Sequence, residues 1–136
     1  MATPRSRFLT SLALVATLFL AACCGPQQTR TEGEVEVGVA TDPNPAELGD
    51  NAFRVFVKVE GEKASDAQVA LRMFMPGMPM NSDNNWIPAT LEKKGVYGAV
   101  GDFSMGGNWQ VEVRTEPPGR EPVLVSFPFE IKWELK

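Results

Sequence analysis

The sequence predicts an all-β domain, an immunoglobulin-like β-sandwich of about seven antiparallel strands. Apolar and polar residues alternate with a period of two in short runs, and clusters of Gly, Pro, Asn and Asp separate these runs. Beyond residue 34, no stretch shows the period of an amphipathic helix over a useful length. Seven short strands in about a hundred residues are typical of such a sandwich.

The predicted strands are, in chain order, residues 34–40, 53–60, 67–75, 86–92, 95–100, 108–115 and 123–132. The residues that the alternation directs inward are Val35, Val37, Val39, Val55, Val57, Val59, Val69, Leu71, Trp109, Val111, Val113, Val123, Val125 and Phe127. Pro128 has no N–H to donate to a neighbouring strand. We therefore expect the last strand to lie at a sheet edge or to be bulged there.

The N-terminus has the layout of a secretory signal. Two arginines precede an apolar run from Phe8 to Leu20, and small residues follow. The run is too short to span a bilayer comfortably as a helix. The segment Leu20–Cys23 resembles a lipobox, in which the cysteine is lipidated before the signal is removed. An ordinary secretion signal with incidental cysteines is the alternative.

This pattern divides the chain into a signal peptide (1–22), a lipidated flexible tether (23–33) and a sandwich domain (34–136). The mature protein is then exported and held by Cys23 on a membrane of the cell envelope, facing the periplasm or the extracellular side. If neighbouring strands alternate in direction, the loops of residues 41–52, 76–85 and 101–107 emerge at one end. The tether is then expected at the other end, which would direct these loops away from the membrane.

Methionine is concentrated at this end. Four of the six methionines fall within Met73–Met80, and Met105 lies in another of the same loops. Thioethers are soft, neutral ligands that suit Cu(I), and long unbranched side chains can converge on one ion. Met75, Met78 and Met80, with Met105, are the candidate Cu(I) ligands. The three loops also hold five acidic residues and no Lys or Arg: Asp42, Glu47, Asp50, Asp83 and Asp102.

Structural roles for the same residues stay open. Met73 and Met75 share the face of Val69 and Leu71, which is typical of core side chains. An exposed methionine-rich loop can equally serve as an adaptable apolar contact for a protein partner. Trp86 begins a strand beside the loop, so it either packs against the loop or covers a bound Cu(I) with its ring face.

Composition excludes several function classes. The chain contains no histidine, so it lacks the usual general base at neutral pH, and no serine has an identifiable activating base. Removing the two signal arginines from 13 basic residues leaves 11 against 17 acidic ones. An acidic chain argues against nucleic acid as a partner. We expect a protein that is not an enzyme.

Several short motifs together resemble the YtkA-like and FixH-like domains. They are Pro45 with Gly49-Asp50-Asn51, the Met75-Pro76-Gly77-Met78 run, Gly95-Val96-Tyr97 and Gly107-Asn108-Trp109. The resemblance covers most of residues 34–132. It implies an immunoglobulin-like domain outside the cytoplasmic membrane and an accessory, metal-related role without catalysis.

The same resemblance implies partners in copper handling, oxidase assembly or heavy-metal efflux. Met75, Met78 and Met80 match its Met-Pro segment. The absence of histidine departs from many copper-linked members and leaves an all-thioether Cu(I) site. The leading hypothesis is a membrane-anchored accessory protein that binds or hands over Cu(I). The alternative is an interaction module that uses the same methionines as an apolar contact surface.

Overall fold

The computed structural model describes residues 25–78 and 85–133, and in these ranges every strand pair is antiparallel. The strands are β1 (Gln28–Glu32), β2 (Val35–Asp42), β3 (Gly49–Val59), β4 (Glu62–Lys63), β5 (Gln68–Phe74), β6 (Ile87–Pro88), β7 (Thr90–Lys93), β8 (Val96–Phe103), β9 (Gly107–Glu116) and β10 (Val123–Ile131). The predicted all-β, immunoglobulin-like sandwich is confirmed.

Two sheets form the sandwich. One has the order β1-β2-β3-β8-β7, with β4 added beside β3, and the other has the order β10-β9-β5-β6. The predicted strand 86–92 is divided between them, because the chain leaves one sheet after β6 and joins the other as β7. At the crossing the Ala89 N–H donates to the Val69 carbonyl at 2.8 Å, which keeps this short link on the sandwich.

The core follows the predicted alternation. Of the residues predicted to point inward, Val59 and Val123 are half-buried and the others are buried. Phenylalanines fill the space at one end of the sandwich, where the Phe53 ring lies 5.9 Å from Phe103 and 6.0 Å from Phe129 between centroids. The two sheets are therefore held mainly by apolar burial, at roughly 25 cal/mol per Å² of apolar surface.

The last strand lies at an edge, as Pro128 predicts. Among the described residues, β10 pairs with β9 alone, so the missing N–H of Pro128 removes no ladder bond from the interior of a sheet. The Pro128 carbonyl instead accepts a hydrogen bond from Gln28 Nε2 at 2.9 Å. That bond joins β10 to β1 and links the edges of the two sheets.

The first strand lies inside the segment predicted to be a flexible tether. β1 pairs with β2 from Gln28 opposite Val39 to Glu32 opposite Val35, so the tether prediction is wrong for residues 28–32. The side chains of β1 are mostly exposed, and no apolar alternation marks it as a strand. Its order comes from backbone hydrogen bonds to a neighbour, which local composition does not reveal.

The direction of β1 reverses the predicted position of the tether. Because β1 runs antiparallel to β2, the chain enters the domain at the end where β2 finishes. The Gln27 N–H donates to the Val39 carbonyl at 2.8 Å, and Gln27 Nε2 donates to the Thr41 carbonyl at 3.1 Å. The predicted entry at the opposite end is wrong. The reason for expecting the methionine-bearing loops to point away from a membrane is therefore removed.

The signal peptide 1–22 and Cys23 lie outside the described residues, so export and lipidation stay predictions. Within residues 25–78 and 85–133, no helix has the length and hydrophobicity that crossing a bilayer requires.

Candidate functional site

The predicted loop end of the sandwich forms, but its loops are shorter than expected, because residues 41–42, 49–52, 101–103 and 107 belong to strands. In register, Gly49 lies opposite Phe103, and Phe74 lies opposite Gln110. The ends of these antiparallel strands therefore bring residues 43–48, 75–78 and 104–106 to the same end of the domain. We call these three segments together the methionine pole.

Met75 and Met105 come from different loops, and both lie near the start of β9. Both are half-buried and pack against the core. A Cβ at Gly107 would lie 2.5 Å from the methyl carbon of Met75, so this methyl group lies directly on the backbone where β9 begins. Met105 is two residues before Gly107, and its carbonyl accepts a hydrogen bond from Trp109 Nε1 at 3.0 Å.

Met78 is presented to solvent by a tight turn. Its N–H donates to the Met75 carbonyl at 3.2 Å, and Gly77 has the positive φ, 84°, that such a turn requires. The Met78 side chain is 54% exposed. Thus three of the four candidate ligands lie at the methionine pole, while Met80 falls outside the described residues.

Met73 lies between the sheets and away from the pole surface. It is half-buried and packs on the core, as its strand register predicts. A Cβ at Gly101 would lie 2.5 Å from Met73 Sδ and 2.8 Å from the Phe53 ring, so the sulfur faces the opposite sheet. Met73 is therefore a packing residue, and it serves as a control for changes at the pole.

The loop of residues 43–48 is held by Asn51, to which the sequence pattern assigns no role. The Asn51 side chain is 1% exposed. Its Oδ1 accepts from the Glu47 N–H at 3.0 Å, and its Nδ2 donates to the carbonyls of Glu47 at 2.7 Å and Gly49 at 2.9 Å. The Gly49-Asp50-Asn51 triplet was the sequence feature that could have indicated this role, since Asn commonly bonds to the backbone of turns.

Carboxylates gather beside this pole. Asp50 and Asp102 are directly opposite each other on β3 and β8, and both are exposed. Asp42 is also exposed and lies on β2 opposite Ala52, two residues further along β3. Like charges at directly paired positions destabilise a sheet. They also give this end a negative field that attracts cations, and Lys132, which follows β10 at the same end, partly offsets it.

These acids do not form a chelating cluster. Within the described part of the chain, no group of three or more His, Cys, Asp or Glu residues is arranged to hold a metal ion. The soft-ligand candidates at this pole are the thioethers.

The opposite pole holds a paired cation. Arg120 donates to Glu34 at 2.6 Å and to Glu60 at 2.8 Å, and thereby connects three turns. The guanidinium lowers the pKa of the Glu34 carboxyl through this hydrogen bond. Both carboxylates are solvent-exposed, so the bridge stabilises the fold only slightly.

One tryptophan lies as the sequence predicts, and another makes contacts that the sequence does not show. Trp109 is 9% exposed and meets Phe103 edge-on at 5.3 Å, as expected of a core residue. Trp86 contacts two arginine side chains from neighbouring strands. Its ring lies beneath two guanidinium groups, those of Arg72 at 4.7 Å and Arg114 at 4.6 Å. The sequence showed Trp86 near the loop, but not the cross-strand arginines.

Trp133 is a further residue of this end, and its sequence context carried no signal. It follows β10, whose last residue, Ile131, is opposite Gly107. A Cβ at Gly106 would lie 2.7 Å from the Trp133 ring, so the indole covers this glycine. Even so, Trp133 is 70% exposed.

The fold and the methionine pole place this protein among the immunoglobulin-like sandwiches, with methionines from separate loops at one end. The chain belongs to the YtkA-like family, whose model matches residues 29–114. This membership confirms the resemblance found in the sequence, and the matched range begins within β1.

Solved structures support the same fold. The soluble domain of PmoD from Methylocystis sp. ATCC 49242 (Rockwell) is similar with a TM-score of 0.52 and 14% identity, over 76% of this chain and 96% of that one. A DUF4426 family protein from Pseudomonas aeruginosa PAO1 is similar with a TM-score of 0.52 and 14% identity, over 80% and 100%. No curated protein matches the chain.

Proposed function

We propose that this YtkA-like protein is an exported accessory protein, anchored to the cell envelope by lipid on Cys23, that binds Cu(I) or hands it to a neighbour. Met75, Met78 and Met105 supply thioethers, and Met80 is the fourth candidate. The protein acts without catalysis. Its partners belong to copper handling, oxidase assembly or metal efflux, as the family resemblance implies.

The observation that carries this proposal is the position of three methionines from two loops at one pole. Two of them are partly buried against the core, and one is exposed on a short turn. A partly buried thioether is held in place, while an exposed one can move to meet an ion or a partner. The donors are neutral, so none must lose a proton before binding Cu(I).

The nearby carboxylates support the same function. Asp42, Asp50 and Asp102 raise the local concentration of cations without directly supplying soft ligands. A pole that combines a negative field with thioethers favours a soft monovalent cation. Cu(I) is cargo in this proposal, delivered to the pole and removed from it by other proteins.

A Cu(I) titration tests the proposal. A protein that starts at residue 25 keeps every described strand and carries neither cysteine, so no thiol competes for the metal. We expect one equivalent of Cu(I) to bind under reducing conditions, in competition with a weak chromogenic chelator. The double variant Met78→Leu/Met105→Leu should bind at least about tenfold more weakly, a loss of about 1.4 kcal/mol.

Met73→Leu is the matched control, because it removes the same atom from a packing position. Leu and Met have similar volumes, so all these variants should remain folded. Wild-type affinity in Met73→Leu, together with loss in the double variant, supports a thioether site at the pole. Unchanged affinity in the double variant would remove Met78 and Met105 from the assignment.

A second function is favoured by the exposure of two apolar side chains at the same end of the domain, Met78 at 54% and Trp133 at 70%. In this alternative the pole is an apolar contact for a protein partner, and no metal takes part. Met78→Leu should then preserve binding to a purified partner, whereas Met78→Asp should abolish it. Equal binding by the two variants would count against the alternative, and only the Cu(I) hypothesis predicts a defect for leucine.

A further inference from the structure

Trp133 lies beside Met105 at the methionine pole. Ile131 on β10 is opposite Gly107 on β9. The same antiparallel register, extended by two residues, sets Trp133 opposite Met105. The contacts at Gly106 agree with this position, because a Cβ there would lie 2.7 Å from the indole Cγ and 2.9 Å from the Trp133 backbone nitrogen. The chain that follows β10 therefore stays against the chain that precedes β9.

Thioethers and an indole share this short segment of chain. A Cβ at Gly107 would lie 2.5 Å from the methyl carbon of Met75. The indole lies on the preceding residue, Gly106, and Met105 is the residue before that. Consecutive Cα atoms are about 3.8 Å apart, so these three residues span less than about 8 Å. Two candidate ligands and one aromatic ring are thus gathered around the start of β9.

Trp133 offers an accessible ring surface to a cation. It is 70% exposed, although part of its indole lies on Gly106. The other two tryptophans are placed differently. Trp109 is 9% exposed in the core, and Trp86 lies beneath two guanidinium groups, whose positive charge repels a further cation. An indole face attracts a cation that lies within about 6 Å of the ring centroid, so Trp133 is the tryptophan that suits a cation at this pole.

We propose that Trp133 closes the Cu(I) site of the methionine pole, with its indole face over the ion that the thioethers bind. The inference deepens the proposed function and rests on it, because without Cu(I) the indole has no cation to cover. The ring adds a cation–π attraction and keeps water from the open side of the ion. Hard divalent cations require oxygen ligands, so the same ring favours Cu(I) over them. Trp133 is thus a specificity-determining residue.

A Cu(I) titration read by tryptophan emission tests this role. The protein is expressed from the complete sequence and purified, and its thiols are blocked with N-ethylmaleimide so that thioethers remain as the soft donors. Competition with a weak chromogenic chelator gives the affinity, and a parallel titration with Cu(I) alone gives the emission. We expect the emission to fall in step with binding, and Trp133→Phe to remove most of this change.

Two replacements of Trp133 separate an aromatic contact from simple packing. Trp133→Leu should bind Cu(I) about two- to fivefold more weakly, which is the range of an exposed cation–π contact. Trp133→Phe should lose less affinity, because a phenyl ring still attracts a cation, though more weakly than an indole. Equal losses in the two variants would contradict an aromatic role.

Trp86→Phe is the matched control, because Trp86 lies beneath two arginines. It should leave the Cu(I)-dependent fall in emission in place. Quenching that persists in Trp133→Phe, with wild-type affinity in Trp133→Leu, overturns the role of Trp133 but leaves the proposed function intact. A wild type that takes no Cu(I) from the chelator overturns the proposed function itself, and the competition measurement reveals this independently of the emission.

Discussion

Methionine takes three kinds of position in this domain, and position decides what each sulfur can do. Met73 lies between the sheets, with its sulfur against Gly101. Met75 is half-buried against Gly107, and Met78 is exposed. A thioether between the sheets only packs, whereas sulfurs at the surface can exchange a ligand. The same residue type therefore gives both the candidate site and its internal control.

A second residue, Tyr97, anchors the pole opposite the methionines. It is the only tyrosine of the chain and is 2% exposed. Its hydroxyl donates to the Ala64 carbonyl at 2.9 Å and accepts from the Ala67 N–H at 3.1 Å. Burial raises the pKa of this phenol above its ordinary value, because the charged form is disfavoured away from water.

This raised pKa predicts a loss of stability at alkaline pH. The folded state keeps the proton after the unfolded chain has lost it, so the stabilisation is complete below about pH 10 and declines as pH rises towards the folded pKa. Urea unfolding from pH 8 to 11 measures the decline. Tyr97→Phe should be less stable at neutral pH by about 1–3 kcal/mol, since the Ala67 N–H and Ala64 carbonyl lose their partner.

The comparison of the two proteins isolates the tyrosine, because every other ionisable side chain is present in both. The difference in unfolding free energy between wild type and Tyr97→Phe should shrink above about pH 10. A difference that stays constant to pH 11 would contradict the role of the buried phenol. Tyrosinate absorbance of the folded protein gives the shifted pKa directly.

At the scale of strands, the pairing of β3 with β8 explains how acidic residues collect beside the methionines. The register sets Asp50 opposite Asp102 on the outer face, while Asn51 between Asp50 and Ala52 points inward to hold its loop. Because side chains alternate between the two faces of the sheet, Asp50 adds negative charge to the surface, whereas Asn51 holds a loop of the methionine pole by hydrogen bonds. Pairing two carboxylates at directly opposite positions lowers the stability of the sheet.

Removing one charge of this pair should stabilise the fold. We expect Asp102→Asn to raise the free energy of unfolding by about 0.2–1 kcal/mol at low salt, and the gain to shrink at high salt because ions screen the repulsion. Urea denaturation with an unchanged slope measures the effect.

Asp50→Asn is the partner control, and it should give a similar gain by itself. Once one carboxylate has been removed, neutralising the other should add little, because the repulsion has already gone. Fully additive gains from the two substitutions would show that the carboxylates do not interact.

At the scale of the whole molecule, the first strand connects the edges of the two sheets. β1 adds an edge strand to the larger sheet, and its first residue, Gln28, lies opposite Val39 in the half of β2 nearer the methionine pole. Gln28 then bonds across to Pro128 on the other sheet, so the entry strand is attached to both layers.

Much of the fold was predictable because alternation is a local property of strands. The inward valines, the edge position of Pro128 and the loops that share one pole all followed from residue order. The methionine-rich segment and the family motifs were equally visible. Each of these features depends on residues that are close together in the sequence, so it can be recognised without the structure.

Tertiary structure alone decided the rest. The pairing of β1 depends on backbone bonds that have no side-chain signature, and the position of Trp86 depends on two arginines from different strands. The sequence by itself determined the class of fold and the candidate ligands. Only the paired sheets decided that the chain enters beside those ligands, because strand direction is set by contacts between residues distant in sequence.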